Sequence, residues 1–317
     1  MEKIVTLTLN PAIDKSTTVN VIVPDKKLRC TEPRFEPGGG GVNVSRAIKK
    51  LGGNSTAIYL AGGYSGKHYR HLLDLEIIES CVVEIEGHTR ENMIVVDESN
   101  NLQYRFGMPG PSIKENEWQQ CLDILEKSKG VEYIVSSGSL PKGVPDDFFA
   151  RLAAIAKKMN AKLIADTSGE PLRKAMSEGV FLIKPNLGEL SNLHGVEELQ
   201  EDDVVTAAKE IINNGGCEVM VISMGASGAM MVTKNEVLQS PSPTVKKRST
   251  VGAGDSMVAG MVLALSKGCS KMEVLQYGIA AGTATTMNPG TELCRREDFE
   301  KLYQCLKGKQ VPDLVAL

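Results

Sequence analysis

Strand-like and helix-like segments alternate along most of this chain, and that alternation restricts its fold more than any other feature, because strands joined by helical crossovers build a parallel sheet. Tyr133-Ile134-Val135-Ser136 reads as a strand, Asp146 to Met159 as a helix, Lys162 to Asp166 as a strand, Gly169 to Ser177 as a helix and Phe181 to Ile183 as a strand. The class predicted is α/β, with a mostly parallel central sheet sandwiched by helices. Exceptions cluster early. Thr17 to Val23, Leu28 to Glu36 and Met93 to Phe106 are strand-like with no helices between them. They predict a small second sheet from segments near 15–37 and 90–107. Val19, Val21 and Val23 alternate as a half-buried strand does, and an uncovered apolar sheet face favours pairing with a second copy.

Composition narrows the functional classes. With 317 residues and 42% hydrophobic content, the chain can bury one large core, so a single domain spanning 1–317 is expected. A formal net charge of -3 gives no electrostatic reason to expect nucleic acid or an acidic membrane as partner. Any basic site must be local. Cys30, Cys81, Cys121, Cys217, Cys269, Cys294 and Cys305 are scattered singly. They show no zinc spacing, and an odd count argues against a disulfide framework, so they are expected reduced and mostly in the core. Met1-Glu2-Lys3 does not open a signal-peptide pattern, and no apolar run reaches the roughly 18 residues of a membrane span. A cytoplasmic location is expected. His68 and His71 lie three apart on a predicted helix, but no third ligand accompanies them and they read as solvent-facing.

Two glycine-rich segments carry the chemistry. Thr250-Val251-Gly252-Ala253-Gly254-Asp255 runs into an apolar helix from Ser256 to Leu265. Gly252 and Gly254 let backbone approach a ligand, and the open N–H groups of a helix start, including Ala253, suit an anion. Asp255 then reads either as an N-cap or as a carboxylate beside a phosphate site. The segment lacks the third glycine of a dinucleotide fingerprint, and no P-loop is present. The other segment is Pro37-Gly38-Gly39-Gly40-Gly41-Val42-Asn43, followed by an amphipathic helix closing on Gly52-Gly53. Its glycines leave room for a small polar ligand, and Asn43 offers a donor and an acceptor. Upstream, a strand-like run turns at Pro11 and is expected to deliver Asp14 into a loop, where a carboxylate can grip hydroxyls.

These segments resemble the two signatures of the pfkB-type, ribokinase-like carbohydrate kinases, at the ends of the chain where that family has them. The likeness covers nearly the whole chain. Within the family, Lys27-Leu28-Arg29-Cys30-Thr31, Phe35-Glu36-Pro37, Gln103-Tyr104-Arg105-Phe106 and Ser137-Gly138-Ser139-Leu140-Pro141 resemble the 6-phosphofructokinases. The resemblance implies ATP-dependent phosphorylation of a sugar phosphate with magnesium as cofactor. Asp255 is then the base, beside the Gly252, Ala253 and Gly254 nest. Asp14, Gly38, Gly39 and Asn43 would hold the sugar, and Arg90, Arg105 and Ser139 its phosphate, with Lys27 acting across a homodimer formed through the lid. Lys184, Asn186, Glu189, Ser223, Gly225, Gly228, Thr250 and Asn288 would surround ATP, Glu189 ordering magnesium through water. Ser249, Val251, Asn288 and Gly290 would form a potassium site, although Glu292 stands where a basic residue is usual. Family enzymes acting on fructose 1-phosphate or tagatose 6-phosphate carry lysine at the position of Gly40, so fructose 6-phosphate is the acceptor expected. The alternatives are those two activities and a catalytically silent sugar-phosphate sensor, against which intact Asp255, Gly252, Gly254 and Glu189 argue.

Overall fold

The inner strands of the central sheet send alternate side chains into two main cores, and those cores decide where the helices lie. In a computed structural model, which describes residues 3–308, the chain begins β1 (Ile4–Thr8), β2 (Ala12–Val19), β3 (Arg34–Gly38), α1 (Gly40–Lys50), β4 (Thr56–Ala61), α2 (Gly63–Leu75), β5 (Glu79–Glu84), β6 (Arg90–Asp97), β7 (Leu102–Phe106) and α3 (Glu115–Glu126). It continues β8 (Tyr133–Ser137), α4 (Phe148–Lys158), β9 (Lys162–Asp166), α5 (Gly169–Glu178), β10 (Val180–Ile183), α6 (Leu187–His194), α7 (Val204–Asn213) and β11 (Cys217–Ser223). Last come β12 (Ala229–Thr233), β13 (Val237–Ser240), α8 (Ala253–Ser266), α9 (Lys271–Thr286) and α10 (Arg296–Leu306). Val5, Leu7, Ile134, Leu163, Ile183 and Met220 face one core, and Ile4, Val135, Ile164, Leu182 and Val221 the other. Period-two alternation on strands buried from both sides is the reason.

The large sheet has nine strands in the order β13-β12-β11-β10-β9-β8-β1-β4-β5. The seven from β11 to β5 are parallel, and β12 and β13 add an antiparallel edge. Parallel strands gather their carboxyl ends along one edge, where ligands of open α/β sheets bind. α8 is buried from Ser256 to Ala264. Only small residues let it sit that deep: a Cβ on Gly260 would lie 2.5 Å from the Tyr277 carbonyl oxygen of α9.

The small sheet exists, with order β3-β2-β6-β7, but its strands are not where hydropathy placed them. β2 is Ala12–Val19 rather than 17–23, and β3 is Arg34–Gly38 rather than 28–36. Asp14 therefore stands on a strand, not in a loop. Val21 and Val23 fall beyond β2, because β2 pairs in parallel with β6 from Ala12 opposite Arg90 to Val19 opposite Asp97, and the Asp97 carboxylate then takes the Ile22 amide at 3.0 Å. The apolar face lies elsewhere. Phe35, Met93 and Phe106 align with Lys15 in one row across four strands, Tyr104 stands beside them, and all four apolar residues are exposed.

All seven cysteines are free: Cys121, Cys217 and Cys294 are buried in the cores, Cys81 and Cys269 are half-buried against them, and Cys30 and Cys305 are exposed. Among the described residues no helix is long and apolar enough to cross a membrane. Met1 and Glu2, with which the signal-peptide reading began, lie outside the described residues, as do 309–317.

The glycine run serves packing first. Its helix α1 docks on the carboxyl end of β1, where Val42 donates its amide to Thr8 Oγ1 at 2.8 Å. A Cβ on Gly41 would lie 2.4 Å from the Leu7 carbonyl oxygen. Gly41→Ala is expected to destabilise the protein by about 1–3 kcal/mol, the usual range for overpacking. Denaturant unfolding measures it, and an unchanged midpoint would contradict the close approach.

Candidate active site

The carboxyl-terminal edge of the sheet collects Asn10 after β1, Ser137 ending β8, Asp166 ending β9, Lys184 after β10 and Ser223 ending β11. α8 points its first turn at them. Its cap is Gly252, at φ 71°, a left-handed conformation that suits glycine. Asp255 lies inside the first turn and caps nothing, so the N-cap alternative fails. No side chain caps the helix, which leaves its leading N–H groups facing the cleft.

Asp255 is held by two neighbours, one on each carboxylate oxygen. Asn43 of α1 donates from Nδ2 to Asp255 Oδ2 at 2.9 Å, and the Ser137 hydroxyl lies 3.3 Å from Oδ1. Ser137 Oγ also lies 3.2 Å from Asp166 Oδ2, and Lys184 Nζ is 3.3 Å from Asp166 Oδ1. Burial pushes the Asp255 carboxyl up to about 6, with Asp166 adding repulsion, while Asn43, Lys184 and Ser137 oppose the rise. Burial works against the Lys184 charge, yet Asp166, Glu189 and Asp255 outweigh it and hold its ammonium above the ordinary value. The result is a carboxylate of raised basicity next to a fixed cation.

On one side of Asp255 a cleft of about 380 Å³ is lined by Lys184, Ser223, Gly225, Gly228, Thr250, Ala253 and Gly254, with Val245, Met257 and Ile279 as apolar wall. Gly225 and Gly228 take φ of 59° and 95° on either side of a tight turn. Asn186 and Glu189 do not line this cleft. They form a capping box on α6: Glu189 donates its amide to Asn186 Oδ1, and Asn186 donates its amide to Glu189 Oε2, both at 2.9 Å. Asn288 does not line it either. Its amide is buried and donates to the Leu293 carbonyl at 2.9 Å, closing the loop after α9. That loop meets the segment before α8, since Ser249 Oγ donates to the Gly290 carbonyl at 2.7 Å and receives the Val251 amide at 3.2 Å. Glu292 turns to Arg295 at 2.7 Å.

On the other side stand residues of the small sheet. Asp14 accepts from Asn92 Nδ2 at 2.8 Å; burial raises its pKa, against the pull of Asn92, Arg46 and Arg90. A Cβ on Gly38 would lie 2.2 Å from Asp14 Oδ2, and Gly39, at φ 114°, faces Thr8 and Pro11. Gly38 is thus required by packing against Asp14, and Gly39 by its backbone conformation and by Thr8 and Pro11. Arg90 donates to the carbonyls of Asn10 at 3.0 Å and Met108 at 3.1 Å, while its buried Nε has no hydrogen-bond partner. Arg105 reaches from β7 to Thr250 Oγ1 at 3.4 Å, spanning the cleft. Ser139 accepts from Asn10 Nδ2 at 3.1 Å. Lys27 is not gathered with these residues; it lies on the exposed loop between β2 and β3. His68 is exposed and its ring meets Phe35 at 5.3 Å. No cluster of three or more His, Cys, Asp or Glu residues suited to a metal occurs among the described residues.

Asn10, Asn92, Ser137 and Asp166 were not singled out from sequence as site residues. The signal for Asp166 was present, since it ends a strand that the periodicity predicts, at the edge where parallel sheets bind ligands, and Ser137 falls one residue past the predicted Tyr133 to Ser136 strand.

An open cleft beside an uncapped helix start and a buried carboxylate is an arrangement that suits phosphoryl transfer to a small molecule. The chain belongs to the pfkB family of carbohydrate kinases, whose pattern it matches over residues 7–298, and its fold is the ribokinase-like α/β fold. It is 46% identical over 308 residues to ATP-dependent 6-phosphofructokinase isozyme 2 of Escherichia coli (strain K12), covering 96% of this chain and 99% of that one. The isozyme 2 enzyme of Mycobacterium tuberculosis is 42% identical over 303 residues, covering 95% and 89%. The crystal structure of phosphofructokinase-2 from Escherichia coli in complex with fructose-6-phosphate superposes with a TM-score of 0.92 at 43% identity, covering 97% of this chain and all of that one.

The electrostatics give a direct expectation. In carbon-detected NMR the Asp255 carboxyl should titrate near pH 6 rather than in the ordinary aspartate range. Asn43→Ala removes a donor that favours the ionised form, so its titration should move higher still. A wild-type midpoint near 4, or a downward move in the variant, would contradict this environment.

Proposed function

We propose that the protein is an ATP-dependent 6-phosphofructokinase, transferring the γ-phosphoryl group of ATP to the 1-hydroxyl of fructose 6-phosphate and releasing ADP and fructose 1,6-bisphosphate. The observation that carries the reading is Asp255, held by Asn43 and Ser137 in the first turn of α8, the turn whose Ala253 and Gly254 line the cleft. The identities to the two isozyme 2 enzymes support the choice of acceptor. The chain acts as one kinase domain with the small sheet as its lid, and its seven free cysteines fit a reducing cytoplasm.

Phosphoryl transfer asks for alignment and charge stabilisation. Asp14 and Asn43 hold the sugar hydroxyls. The acceptor's phosphate meets Arg90, whose Nε is unspent, and Arg105, with Ser139 adding a hydroxyl. Asp255 takes the proton of the 1-hydroxyl as its oxygen bonds to the γ-phosphorus and the bond from phosphorus to the ADP oxygen breaks. The α8 start at Gly252, Ala253 and Gly254, together with Lys184, meets the charge on the moving oxygens.

Magnesium supplies charge neutralisation at the phosphates. The donor set fits it, since Asp166 and Glu189 flank Lys184 with hard oxygen ligands and magnesium prefers to keep waters. Potassium suits the Ser249, Val251, Asn288 and Gly290 region, where the Ser249–Gly290 bond already joins the two loops. The Glu292–Arg295 pair neutralises the carboxylate that departs from the family pattern. At Gly40 a Cβ would fall 2.2 Å from Ser137 Oγ, which leaves no room for the lysine of enzymes acting on the other phosphosugars.

A coupled assay of ADP release on a panel of phosphosugars tests the reading. Fructose 6-phosphate should give the highest kcat/KM, and Asp255→Asn should lower kcat by about 10²-fold to 10⁴-fold. Preference for fructose 1-phosphate or tagatose 6-phosphate would replace the acceptor. No turnover of any of them would favour the sensor.

The lid pairs with that of a second copy through the row Phe35, Met93 and Phe106 with Tyr104, and Lys27 then serves the neighbour's acceptor site. An exposed apolar row across a whole sheet favours such cover. Met93→Asp places a carboxylate there, at a cost of several kcal/mol if it stays buried and unpaired. Sedimentation should show dissociation together with loss of activity, and a fully active monomer would overturn the shared site.

A further inference from the structure

Arg46 lies on α1, one turn after Asn43, and its side chain is 2% exposed. A guanidinium at that depth must place its donors on protein acceptors, since it cannot shed its proton. It does so on four residues from three segments. Nε donates to Glu76 Oε1 after α2 at 2.8 Å, and Nη2 meets the same oxygen at 2.6 Å. Nη1 donates to the Pro37 carbonyl at 2.9 Å and makes a longer contact of 3.4 Å to Asn43 Oδ1. Nη2 also pairs with Glu36 Oε1 at 3.2 Å, and the other Glu36 oxygen accepts from the Thr291 hydroxyl.

The Asn43 contact matters because an amide has two unlike ends. With Oδ1 turned to the guanidinium, Nδ2 is directed at Asp255 Oδ2. The reversed amide would set N–H groups against the cation and oxygen against the carboxylate, both repulsive. The Pro37 contact fixes the entry to the glycine run, and Glu36 connects the same cation to lid strand β3 and to the loop bearing Thr291.

We propose that Arg46 is a positioning residue for the phosphoryl transfer: by orienting the Asn43 amide it aims an N–H at Asp255, and through Glu36 it ties that alignment to the lid and the 288–293 loop. The proposal deepens the reading of Asp255 as the base and rests on it. The other groups facing Asp255 are Asp166 of β9, Lys184 after β10 and Ser137 of β8, and none of them is bonded to Arg46. A change at Arg46 therefore reaches the base through Asn43.

Arg46→Lys keeps a cation beside Glu36 and Glu76 but lacks the fork that spans Pro37 and Asn43. The expected result is a folded enzyme whose kcat falls about 10-fold to 100-fold while the KM for ATP stays within about threefold. The acid limb of its pH profile should move to higher pH, because the ionised base loses a donor. A folded variant whose acid limb does not move, whatever its kcat, would overturn the proposal, since general loosening alone predicts that result. Should Arg46→Lys not fold, Glu36→Ala decides: it leaves Arg46 and Glu76 paired, and it should lower kcat by about threefold to tenfold with the same upward move. An unmoved limb there overturns the proposal. Wild-type activity with no acid limb at all would remove the base assignment and this proposal with it, whereas a normal wild-type limb beside unmoved variant limbs removes only the role of Arg46.

Discussion

The hydrogen bond from Asn43 to Asp255 joins two residues 212 positions apart, and most of the architecture serves to bring them within 2.9 Å. One sits in the first turn of α1, which starts within the glycine run, the other in the first turn of α8. Both helices pack on the same face of the sheet, where Val44, Ala47 and Ile48 meet Val258, Val262 and Leu263 in one core. Their glycines are conditions of that packing. Gly41 allows α1 to sit on the end of β1, Gly252 allows the chain to turn into α8, and Gly260 allows α8 to lie against α9.

Once the two helix starts are fixed, the electrostatics follow from the sheet's parallel topology. Ser137, Asp166 and Lys184 arrive because each stands at or just past the carboxyl end of a strand. Two carboxylates and one ammonium share that partly desolvated space. Burial raises the Asp255 carboxyl most and the Asp166 charge adds to it, while Asn43, Lys184 and Ser137 hold the rise back. A carboxylate so placed is a better proton acceptor than an exposed one, and its neighbours orient it as well.

Much of this was legible from sequence. Periodicity gave the strand–helix alternation, and the Lys162 to Asp166 strand appears with the same bounds in the structure. Asp255, Asn43 and Thr250 stand out because glycine-rich turns leave a strong local signal, and Lys184 enters through the family resemblance; the structure gathers Asp255, Asn43 and Lys184 at one place. The lid strands were misplaced because their limits come from tertiary pairing: β2 is set by its register with β6, whose partners lie nearly eighty residues away, and hydropathy within 17–23 does not contain that information. Asn186 and Glu189 were read only as ligands, although their spacing is also that of a capping box, which the structure adopts. Arg46 was passed over because a lone arginine in an amphipathic helix gives no sign that it will be buried among two glutamates.

The account turns on where the acceptor hydroxyl lies relative to Asp255. A crystal structure of the protein with fructose 6-phosphate and a non-hydrolysable ATP analogue measures it directly. The account predicts the 1-hydroxyl oxygen within hydrogen-bond reach of an Asp255 carboxylate oxygen, about 2.6–3.2 Å, and in line with the terminal phosphate. A 1-hydroxyl held by another group, with Asp255 out of reach of it even through one water, would contradict the account.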